Sequence, residues 1–498
     1  MELLNQLFMG LMVAGAPQNL LFCLIGCILG TAIGVLPGVG PVATIAMLLP
    51  MTFVLPPVSA IIMLAGIYYG AQYGGSTTAI LINIPGEASS VVTCLDGHAM
   101  ARQGRGGVAL AIAALGSLFA GIVSTFFLAF LSPTLSNLAL SFASPEQFAL
   151  MTFGLVAAIV IAHGSLLKSL VMVFAGCLLG LIGMDVNSGL QRLTFGIPEL
   201  SDGLSFVALA MGLFGIAEVA VNLERSFRRD DVSSVGNIMP TRSDMKQAAP
   251  AVVRGTLLGS VLGVLPGGGA LLGSFASYTL EKKLAKDSSR FGQGAIEGVA
   301  GPESANNAGA QTSFVPMLTL GIPANAVMAI MIGALNIHGI SPGPLLISDQ
   351  PQLFWGLIAS MLVGNVMLVI LNLPLISLWI KLLRVPYRIL YPAIIVFCCI
   401  GTYSINNSAT DVALMMICGG FGYLLLKLGF EPAPLLMGFV LAPMLEEALS
   451  RSLILSNGSF SIFIDRPLSL VFLICSVVLV FLVILPSFRR VREESLRD

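Results

Sequence analysis

GCILGTAIGVLPGVG, at residues 26–40, is followed 229 residues later by GTLLGSVLGVLPGGG, at residues 255–269, and nine of the fifteen positions are identical. Both stretches have glycine at every fourth position, a spacing typical of closely packed transmembrane helices. Both also end in Leu-Pro-Gly-x-Gly, where proline and glycine interrupt a helix. Packing explains the glycines but not the shared break at the same phase, so we interpret the two stretches as an internal duplication.

The overall composition indicates a membrane protein. Hydrophobic residues make up 56% of the 498 residues and charged residues 10%, whereas a soluble domain has about a quarter charged residues. Segments long enough to cross about 30 Å of hydrocarbon lie at residues 18–36, 58–82, 107–131, 146–163, 169–184, 203–222, 250–265, 353–373, 389–405, 410–427, 433–450 and 467–486. Several are short or interrupted by glycine or proline. We therefore expect an all-α polytopic membrane protein with about 10–12 transmembrane helices, some of them broken or re-entrant.

A polar segment near the middle divides the chain. We predict a first membrane repeat at residues 1–223, a cytoplasmic linker at 224–249, a second membrane repeat at 250–488 and a cytoplasmic tail at 489–498. Basic residues are concentrated in the linker and the tail, and cytoplasmic loops carry an excess of Lys and Arg. The C-terminus is therefore predicted to be cytoplasmic. Alternation of the spans then places the N-terminus outside.

The same charge rule gives the two repeats opposite orientations. After the first LPGxG, residues 53–58 are uncharged, whereas residues 281–286 after the second contain three lysines. Further on the bias reverses, because Arg102 and Arg105 lie in the first half and residues 339–352 of the second half contain no Lys or Arg. This pattern favours inverted repeats, the usual construction of a secondary transporter. A parallel duplication stays open, since the loop charges are few.

A second, shorter echo follows each copy of the motif. NIPGEASS at residues 83–90 and GIPANA at residues 321–326 share an Ile-Pro pair, and small polar residues precede both. Proline loses no hydrogen bond in the first turn of a helix, so we expect Pro85 and Pro323 in the first turns of half-helices. Unwound backbone at membrane depth survives only where it lines a cavity or is buried in protein. The breaks and the echoes are therefore the predicted site.

This site is expected to bind an anion through backbone groups. Free N–H groups at the start of a half-helix attract anions, and free carbonyl groups at a helix end attract Na⁺ or protonated groups. The candidate substrate-binding residues at and beside the breaks are Gly38, Gly40, Ser89, Ser90, Gly267, Gly268, Gly269, Asn306 and Asn307. The candidate ion-coupling residues are Glu87, Asp96, Glu303, Thr77, Thr312 and Asn325. Two alternatives stay open: the hydroxyl and amide residues act only in helix packing, and Glu87 caps a helix dipole instead of relaying protons.

Other classes of function find no support in the sequence. The 24 basic residues are balanced by 25 acidic ones, and no basic stripe with interleaved aromatic residues indicates nucleic-acid binding. There is no HExxH motif, and the GxSxG match at residues 339–343 has no histidine after it. We therefore predict no enzyme activity and no cofactor or metal, apart from Na⁺ or H⁺ as a coupling ion. The eight cysteines lie mostly in apolar runs and are expected to be free thiols.

Four stretches of the sequence resemble one known family. GVLPGVGP (34–41), YYGAQYGGSTTAILINIPGEASSVVTCLDGHAMARQGRG (68–106), GVLPGGGA (263–270) and EGVAGPESANNA (297–308) are similar to the large membrane subunit of the tripartite tricarboxylate transporters. The similarity runs over essentially the whole length. The positions of this sequence that match the family's signature are Pro37, Gly38, Gly40, Pro85, Gly86, Glu87, Ser89, Ser90, Asp96, Pro266, Gly267, Gly269, Pro302, Glu303, Asn306, Asn307 and Pro323.

The resemblance implies a three-component uptake system in the inner membrane of a bacterium. Besides this large permease it implies a small four-helix membrane subunit and a periplasmic solute-binding protein that captures citrate or another small di- or tricarboxylate. An ion gradient would drive transport, and the absence of a GxxxxGK[ST] nucleotide-binding motif agrees with this. The alternatives are an ion-coupled permease for another small organic solute that works without a binding protein, and a membrane scaffold subunit that transports nothing.

Overall fold

The structure is a computed structural model that describes residues 2–36, 40–161, 165–185, 189–224, 235–265, 269–382 and 387–484. Nearly all of these residues are helical, and the strands found among them are β1 (Gly183–Met184) and β2 (Gln191–Arg192), which pair antiparallel. Six of the described helical segments are long and apolar enough to cross a membrane. The predicted class, an all-α polytopic membrane protein, is confirmed.

Most of the helices before the predicted linker are separated by short segments, and the strands β1 and β2 lie in the longer segment before the last two. The helices are α1 (Glu2–Ala14), α2 (Pro17–Val35), α3 (Pro41–Thr52), α4 (Pro57–Ile82), α5 (Val91–Thr93), α6 (Gly106–Ala139), α7 (Ser144–Ile161), α8 (Leu166–Gly180), α9 (Phe206–Ala210) and α10 (Ala217–Glu224). The turns are of the 3₁₀ type at Ala88–Ser90 and Pro198–Leu200, and of the π type at Cys94–His98, Ala101–Arg105 and Met211–Ile216.

The helices of the second half begin inside the predicted linker. They are α11 (Arg242–Gly263), α12 (Gly269–Leu284), α13 (Glu297–Thr312), α14 (Phe314–Leu320), α15 (Ala326–Ile337), α16 (Leu346–Asp349), α17 (Pro351–Asn372), α18 (Ile376–Leu382), α19 (Tyr387–Asn406), α20 (Ala409–Lys427), α21 (Pro432–Leu455), α22 (Ile462–Asp465) and α23 (Pro467–Ile484). A 3₁₀ turn at Ser288–Arg290 lies between α12 and α13.

Each predicted apolar segment overlaps a helix of the structure, but the sequence does not predict α1, α3, the helices α12 to α15, or the short helices α5, α16, α18 and α22. α1, α3 and α15 are shorter than a span, while α12 and α13 carry many hydroxyl, amide or charged residues. Every residue of α13 from Gly298 to Thr312 is nevertheless buried, because α4, α6, α11 and α12 pack around it. Hydropathy identifies helices that contact lipid, and α13 contacts protein instead.

The two glycine ladders lie at helix–helix contacts of the same kind. α2 packs against α4, and α11 packs against α13. A Cβ atom on Gly30 would lie 2.3 Å from the carbonyl oxygen of Ile67, and one on Gly259 would lie 2.2 Å from that of Ala305. Only a hydrogen atom fits at these positions, so the backbones touch. Helix packing is therefore the role of the ladder glycines.

The helix is interrupted at both copies of the Leu-Pro-Gly-x-Gly motif. α2 ends before the first copy and α3 begins after it, while α11 ends before the second copy and α12 begins at its last residue. Residues 37–39 and 266–268 lie outside the described residues. The candidates Gly38, Gly267 and Gly268 therefore have no described geometry, whereas Gly40 and Gly269 do.

The two Ile-Pro echoes have the same local structure. Asn83 terminates α4 with φ of 56°, and Gly321 terminates α14 with φ of 70°, so both adopt the left-handed conformation. A short non-helical stretch follows each of them. Glu87 then takes the N-cap position of the 3₁₀ turn, and Asn325 takes that of α15.

The expectation that Pro85 and Pro323 lie in the first turn of a helix was wrong. Each proline lies two residues before the N-cap, in the non-helical stretch. A residue that precedes proline disfavours the helical conformation, so the chain stays extended after its left-handed turn and starts the new helix only at the N-cap.

Part of the predicted linker is helical. α11 begins at Arg242, and Thr241 caps it: the backbone N–H of Asp244 donates to the Thr241 hydroxyl over 3.2 Å, and the backbone N–H of Thr241 donates to the Asp244 carboxylate over 2.9 Å. Residues 225–234 lie outside the described residues. The division of the chain into two repeats, a linker and a tail stays a prediction.

Candidate functional site

A cavity of about 560 Å³ lies between the two halves of the protein. From the first half, it is lined by the beginning of α3, by α4 and by residues 85–89 of the first echo. From the second half, it is lined by the beginnings of α12 and α21 and by residues 325–327 of the second echo. Segments that correspond in the two copies of the duplication therefore meet at one place.

Four helix N-termini face this cavity. Residues in the first turns of α3, α12, α15 and α21 belong to its wall, as do Ala88 and Ser89 of the 3₁₀ turn. The first N–H groups of a helix have no partner within the helix and form the positive end of its dipole. No lysine, arginine or histidine lines the cavity among the described residues. An anion in it would be held by backbone N–H groups and neutral side chains.

Three carboxylates also belong to the wall, namely Glu87, Glu218 and Glu431. The backbone N–H of Gly40 donates to Glu218 Oε1 over 3.4 Å, so a carboxylate of the protein itself lies at the beginning of α3. Glu431 is the N-cap residue of α21. The cavity thus combines backbone groups that attract an anion with side chains that repel one when ionised.

Glu87 joins the cavity wall to α13. Its Oε1 accepts a hydrogen bond of 2.5 Å from the Ser89 hydroxyl and one of 2.9 Å from Asn306 Nδ2. The Ser90 hydroxyl accepts the backbone N–H of Glu87 over 3.3 Å. Among the described residues, no cationic side chain forms an ion pair with Glu87. Three of the predicted residues, Glu87, Ser89 and Asn306, are therefore in direct contact.

Glu303 lies one turn earlier on α13 and is fully buried. Its carboxylate accepts hydrogen bonds from the hydroxyls of Ser76, over 2.5 Å, and Thr93. Asn307 is on the same face of the helix, and its Nδ2 donates to Ser117 Oγ over 2.7 Å and to the Glu303 carbonyl oxygen over 3.1 Å. The Asn307 Oδ1 atom is buried without a hydrogen-bond partner among the described residues.

Asp96 is fully buried and binds the loop that leads into α13. Its Oδ1 accepts the backbone N–H groups of Gly292, Gly294 and Ala295 over 2.8 to 2.9 Å. Its Oδ2 accepts the Tyr278 hydroxyl over 3.0 Å. Gly292 and Gly294 have positive φ, which turns their N–H groups toward the carboxylate. Asp96 does not line the cavity, and its contacts anchor α13 to the first half of the protein.

The remaining candidates are in several places. Asn325 lines the cavity, caps α15 by accepting the Met328 N–H over 3.0 Å, and donates to the Tyr68 hydroxyl over 3.2 Å. Thr312 is buried and donates to the Ala308 carbonyl within α13 over 3.0 Å. Thr77 is buried in α4 beside a second, much smaller cavity.

Sequence reasoning missed part of the cavity wall. Tyr68, Gln72, Glu218 and Asn222 line it but lie within apolar helices, where nothing in the local pattern distinguishes them from packing residues. Glu431 could have been found, because the Glu-Pro pair at residues 431–432 is typical of the first position of a helix.

The fold and this cavity define a class: the protein is a polytopic membrane transport protein. Within that class, the chain belongs to the family described as the tripartite tricarboxylate transporter TctA family, whose sequence model matches residues 20–437. This confirms the family resemblance of the sequence motifs.

Two similar proteins come from Agrobacterium vitis, and the chain matches one of them from end to end. An "uncharacterized 52.8 kDa protein in TAR-I ttuC' 3'region" is 55% identical over 495 residues, which is 99% of each chain. An "uncharacterized protein in TAR-II ttuC' 3'region" is 58% identical over 236 residues, which is 47% of this chain and 98% of the relative. No solved structure matches the chain.

Proposed function

We propose that this protein is the large, substrate-translocating subunit of a tripartite system that imports small di- and tricarboxylates of the citrate type across the bacterial inner membrane. One observation supports the substrate class above others. Four helix N-termini, contributed by both halves of the chain, meet at a cavity of about 560 Å³ that has no lysine, arginine or histidine among its described lining residues.

The cavity suits a small molecule with several carboxylate groups. Its volume lies within the roughly 300–1,000 Å³ of small-ligand sites. The N-termini of different helices offer separate positions for separate carboxylates, because the dipole of each helix has its positive end there. Ser89 and Asn325 add a hydroxyl and an amide. Gly40 and Ala270 lie next to the two motif breaks, which accounts for the position of the breaks at the cavity.

The acidic wall supports coupling to a cation gradient. A carboxylate at Glu87 would repel a bound tricarboxylate unless a proton or a cation neutralises it. Binding of substrate and of the neutralising ion would therefore be linked, which is the requirement for symport. Glu87, which lines the cavity, and Glu303, which lies one turn from Asn306 on α13, are the proposed coupling carboxylates, and neither forms an ion pair among the described residues.

The duplicated elements support an alternating-access mechanism with inverted repeats. The N-termini of α3 and α12 follow equivalent breaks, and the echoes that carry Glu87 and Asn325 have the same local structure. Rocking of two related halves about a shared central site is the usual mechanism of such transporters. The C-terminus is cytoplasmic in this proposal, and the binding protein delivers substrate from the periplasmic side.

The test is reconstitution in proteoliposomes. We expect the full chain, together with its small membrane subunit and binding protein, to accumulate radiolabelled citrate when a Na⁺ or H⁺ gradient is imposed. An uncharged polyol of similar size should not be accumulated, because it makes no use of the helix N-termini. Equal uptake of citrate and the polyol would overturn the proposed substrate class.

The partner proteins are tested in the same system. Omission of the binding protein or the small subunit should reduce citrate uptake to the rate of empty liposomes. Full rates from this chain alone would favour a permease that works without a binding protein. No uptake of any organic anion by the complete system would favour a scaffold subunit.

A further inference from the structure

A second cavity lies between α4, α6 and the segment that joins α17 to α18, behind the face of α13 that carries Glu303. Its volume is about 10 Å³, enough for one water-sized group. Its polar lining comes from the side chains of Tyr73, Ser76, Thr77, Ser117 and Asn372. Nothing in the proposed substrate path requires this cavity.

Two hydroxyl groups of the lining form hydrogen bonds with Glu303 and Asn307, which lie on α13 next to the cavity. The Ser76 hydroxyl contacts Glu303 Oε2 over 2.5 Å, and Ser117 Oγ contacts Asn307 Nδ2 over 2.7 Å. Two of the amide oxygens in this region, Asn307 Oδ1 and Asn372 Oδ1, are buried with no hydrogen-bond partner among the described residues. Asn372 is 6% exposed and lines the cavity directly.

The charge of this region is unbalanced. Glu303 is 0% exposed, and its carboxylate contacts only hydroxyl groups. No lysine, arginine or histidine forms an ion pair with it in the described parts of the chain. A buried carboxylate without a counter-charge is costly, and more so in a membrane. One positive charge is therefore needed close to Glu303.

We propose that the small cavity binds a sodium-sized monovalent cation, with Glu303, which is hydrogen-bonded to Ser76, as its counter-charge and the lining residues Ser76, Ser117 and Asn372 supplying neutral oxygen atoms. A proton on Glu303 together with a water molecule in the cavity would also cancel the charge and satisfy an amide oxygen, and binding of sodium to the purified chain distinguishes the two arrangements. A divalent cation would leave an excess positive charge, since the site has one carboxylate.

The position of the site connects it to the substrate cavity. Gln72 and Ser76 are one turn apart on α4, and Gln72 lines the large cavity, where its Oε1 accepts the Ser89 hydroxyl over 3.2 Å. On α13, Glu303 belongs to the small site, and Asn306 holds Glu87. The cation site and the substrate cavity thus share two helices, and the inference rests on the proposed function by naming its coupling ion.

The test is binding of radioactive sodium to the purified full chain, without substrate or partner proteins. We expect saturable binding of one ion per chain, competed by lithium but not by choline. Glu303→Gln should abolish binding, and Ser117→Ala or Asn372→Ala should weaken it roughly ten-fold or more. Asp349→Asn, which removes an exposed surface carboxylate, is the matched control and should leave binding unchanged.

A second measurement guards against a misfolded variant. Sodium chloride should raise the melting temperature of the wild-type chain relative to choline chloride, because a ligand that binds only the folded state stabilises it. Absence of saturable sodium binding by the wild type, or undiminished binding by Glu303→Gln, would overturn the proposal. Intact sodium binding combined with no citrate uptake by the complete system would overturn the proposed function and leave the cation site standing.

Discussion

The side-chain amide of Asn306 donates a hydrogen bond of 2.9 Å to the carboxylate of Glu87. This contact joins an N-cap residue of the first half to the polar helix α13 of the second half. Asn306 Oδ1 is buried and has no hydrogen-bond partner among the described residues, so the amide is fixed through its nitrogen.

The Asn306 amide is expected to set the orientation of Glu87 at the substrate cavity. Asn306→Ala removes the amide that holds this side chain in place, and when Glu87 is neutralised in the citrate-bound state the lost hydrogen bond costs about 0.5–1.5 kcal/mol, or roughly two- to ten-fold in affinity. The half-saturation concentration for citrate uptake should rise by that factor. Asn336→Ala, at an exposed position of α15, is the control and should behave like the wild type. An unchanged half-saturation concentration in Asn306→Ala would show that this contact only joins helices.

Glu87→Gln should separate exchange from accumulation. Glutamine has the shape of protonated glutamate, so the variant should still bind citrate and exchange labelled for unlabelled citrate across a proteoliposome membrane. It cannot release or take up the neutralising ion, so uptake driven by an imposed ion gradient should be lost. Glu199→Gln, on an exposed turn, is the control. Gradient-driven accumulation at the wild-type level in Glu87→Gln would remove this residue from the coupling mechanism.

Asp96→Asn should loosen the loop before α13. The carboxylate accepts three backbone N–H groups, and an amide oxygen accepts them more weakly. We expect faster hydrogen–deuterium exchange at residues 292–295 and a loss of about 1.5–3 kcal/mol in the free energy of unfolding. Asp287→Asn is the control, because that carboxylate is exposed and bonds within its own turn. Equal protection of the loop in both variants would contradict the anchoring role.

Alanine at a ladder glycine should destabilise the protein. Gly30→Ala and Gly259→Ala each place a methyl group within 2.3 Å of a backbone carbonyl oxygen, and overpacking of this kind costs about 1–3 kcal/mol. The unfolding midpoint in detergent should fall in both variants. Gly420→Ala adds the same methyl group where no atom lies within 4 Å. That control should keep the wild-type midpoint, and a fall as large as in the ladder variants would show that the effect is not one of packing.

Labelling of single cysteines tests the inverted repeat. Pro56 and Lys283 are both exposed, and they lie after corresponding breaks of the two halves. In a cysteine-free background, a membrane-impermeant reagent should label Pro56→Cys from the periplasmic side and Lys283→Cys from the cytoplasmic side. Labelling of both from one side would leave a parallel duplication.

The sequence predicts those parts of the fold that contact lipid or break a helix. The apolar runs overlap helices, and the helix is interrupted at both Leu-Pro-Gly-x-Gly motifs, because lipid contact and proline act locally. The sequence does not predict α13, because a polar helix that is surrounded by protein lacks the apolar pattern of a transmembrane helix. α13 is buried by four other helices that are distant in the sequence, so the residues around α13 in the chain do not reveal its burial.

The candidate site is predictable to a similar degree. The structure brings Glu87, Ser89 and Asn306, which were candidates from their positions beside the breaks, into contact. Glu218 is missed, since it contacts Gly40 from a helix 178 positions away in the chain. Asp96 was a candidate ion-coupling residue because it is a carboxylate in an apolar region. Its three backbone N–H donors come from the other half of the chain, so the sequence alone does not show that they bind it.

Backbone contact along the glycine ladders restricts how this protein can move. Because no side chain separates α2 from α4, or α11 from α13, neither pair can slide or rotate internally without losing its packing. Each helix pair is therefore expected to move as a rigid body. We expect bending at the non-helical stretches after Asn83 and Gly321, where α4 and α14 end in a left-handed residue. In the proposed mechanism, rotation of the two helix pairs through bending at these stretches would open the cavity to each side of the membrane in turn.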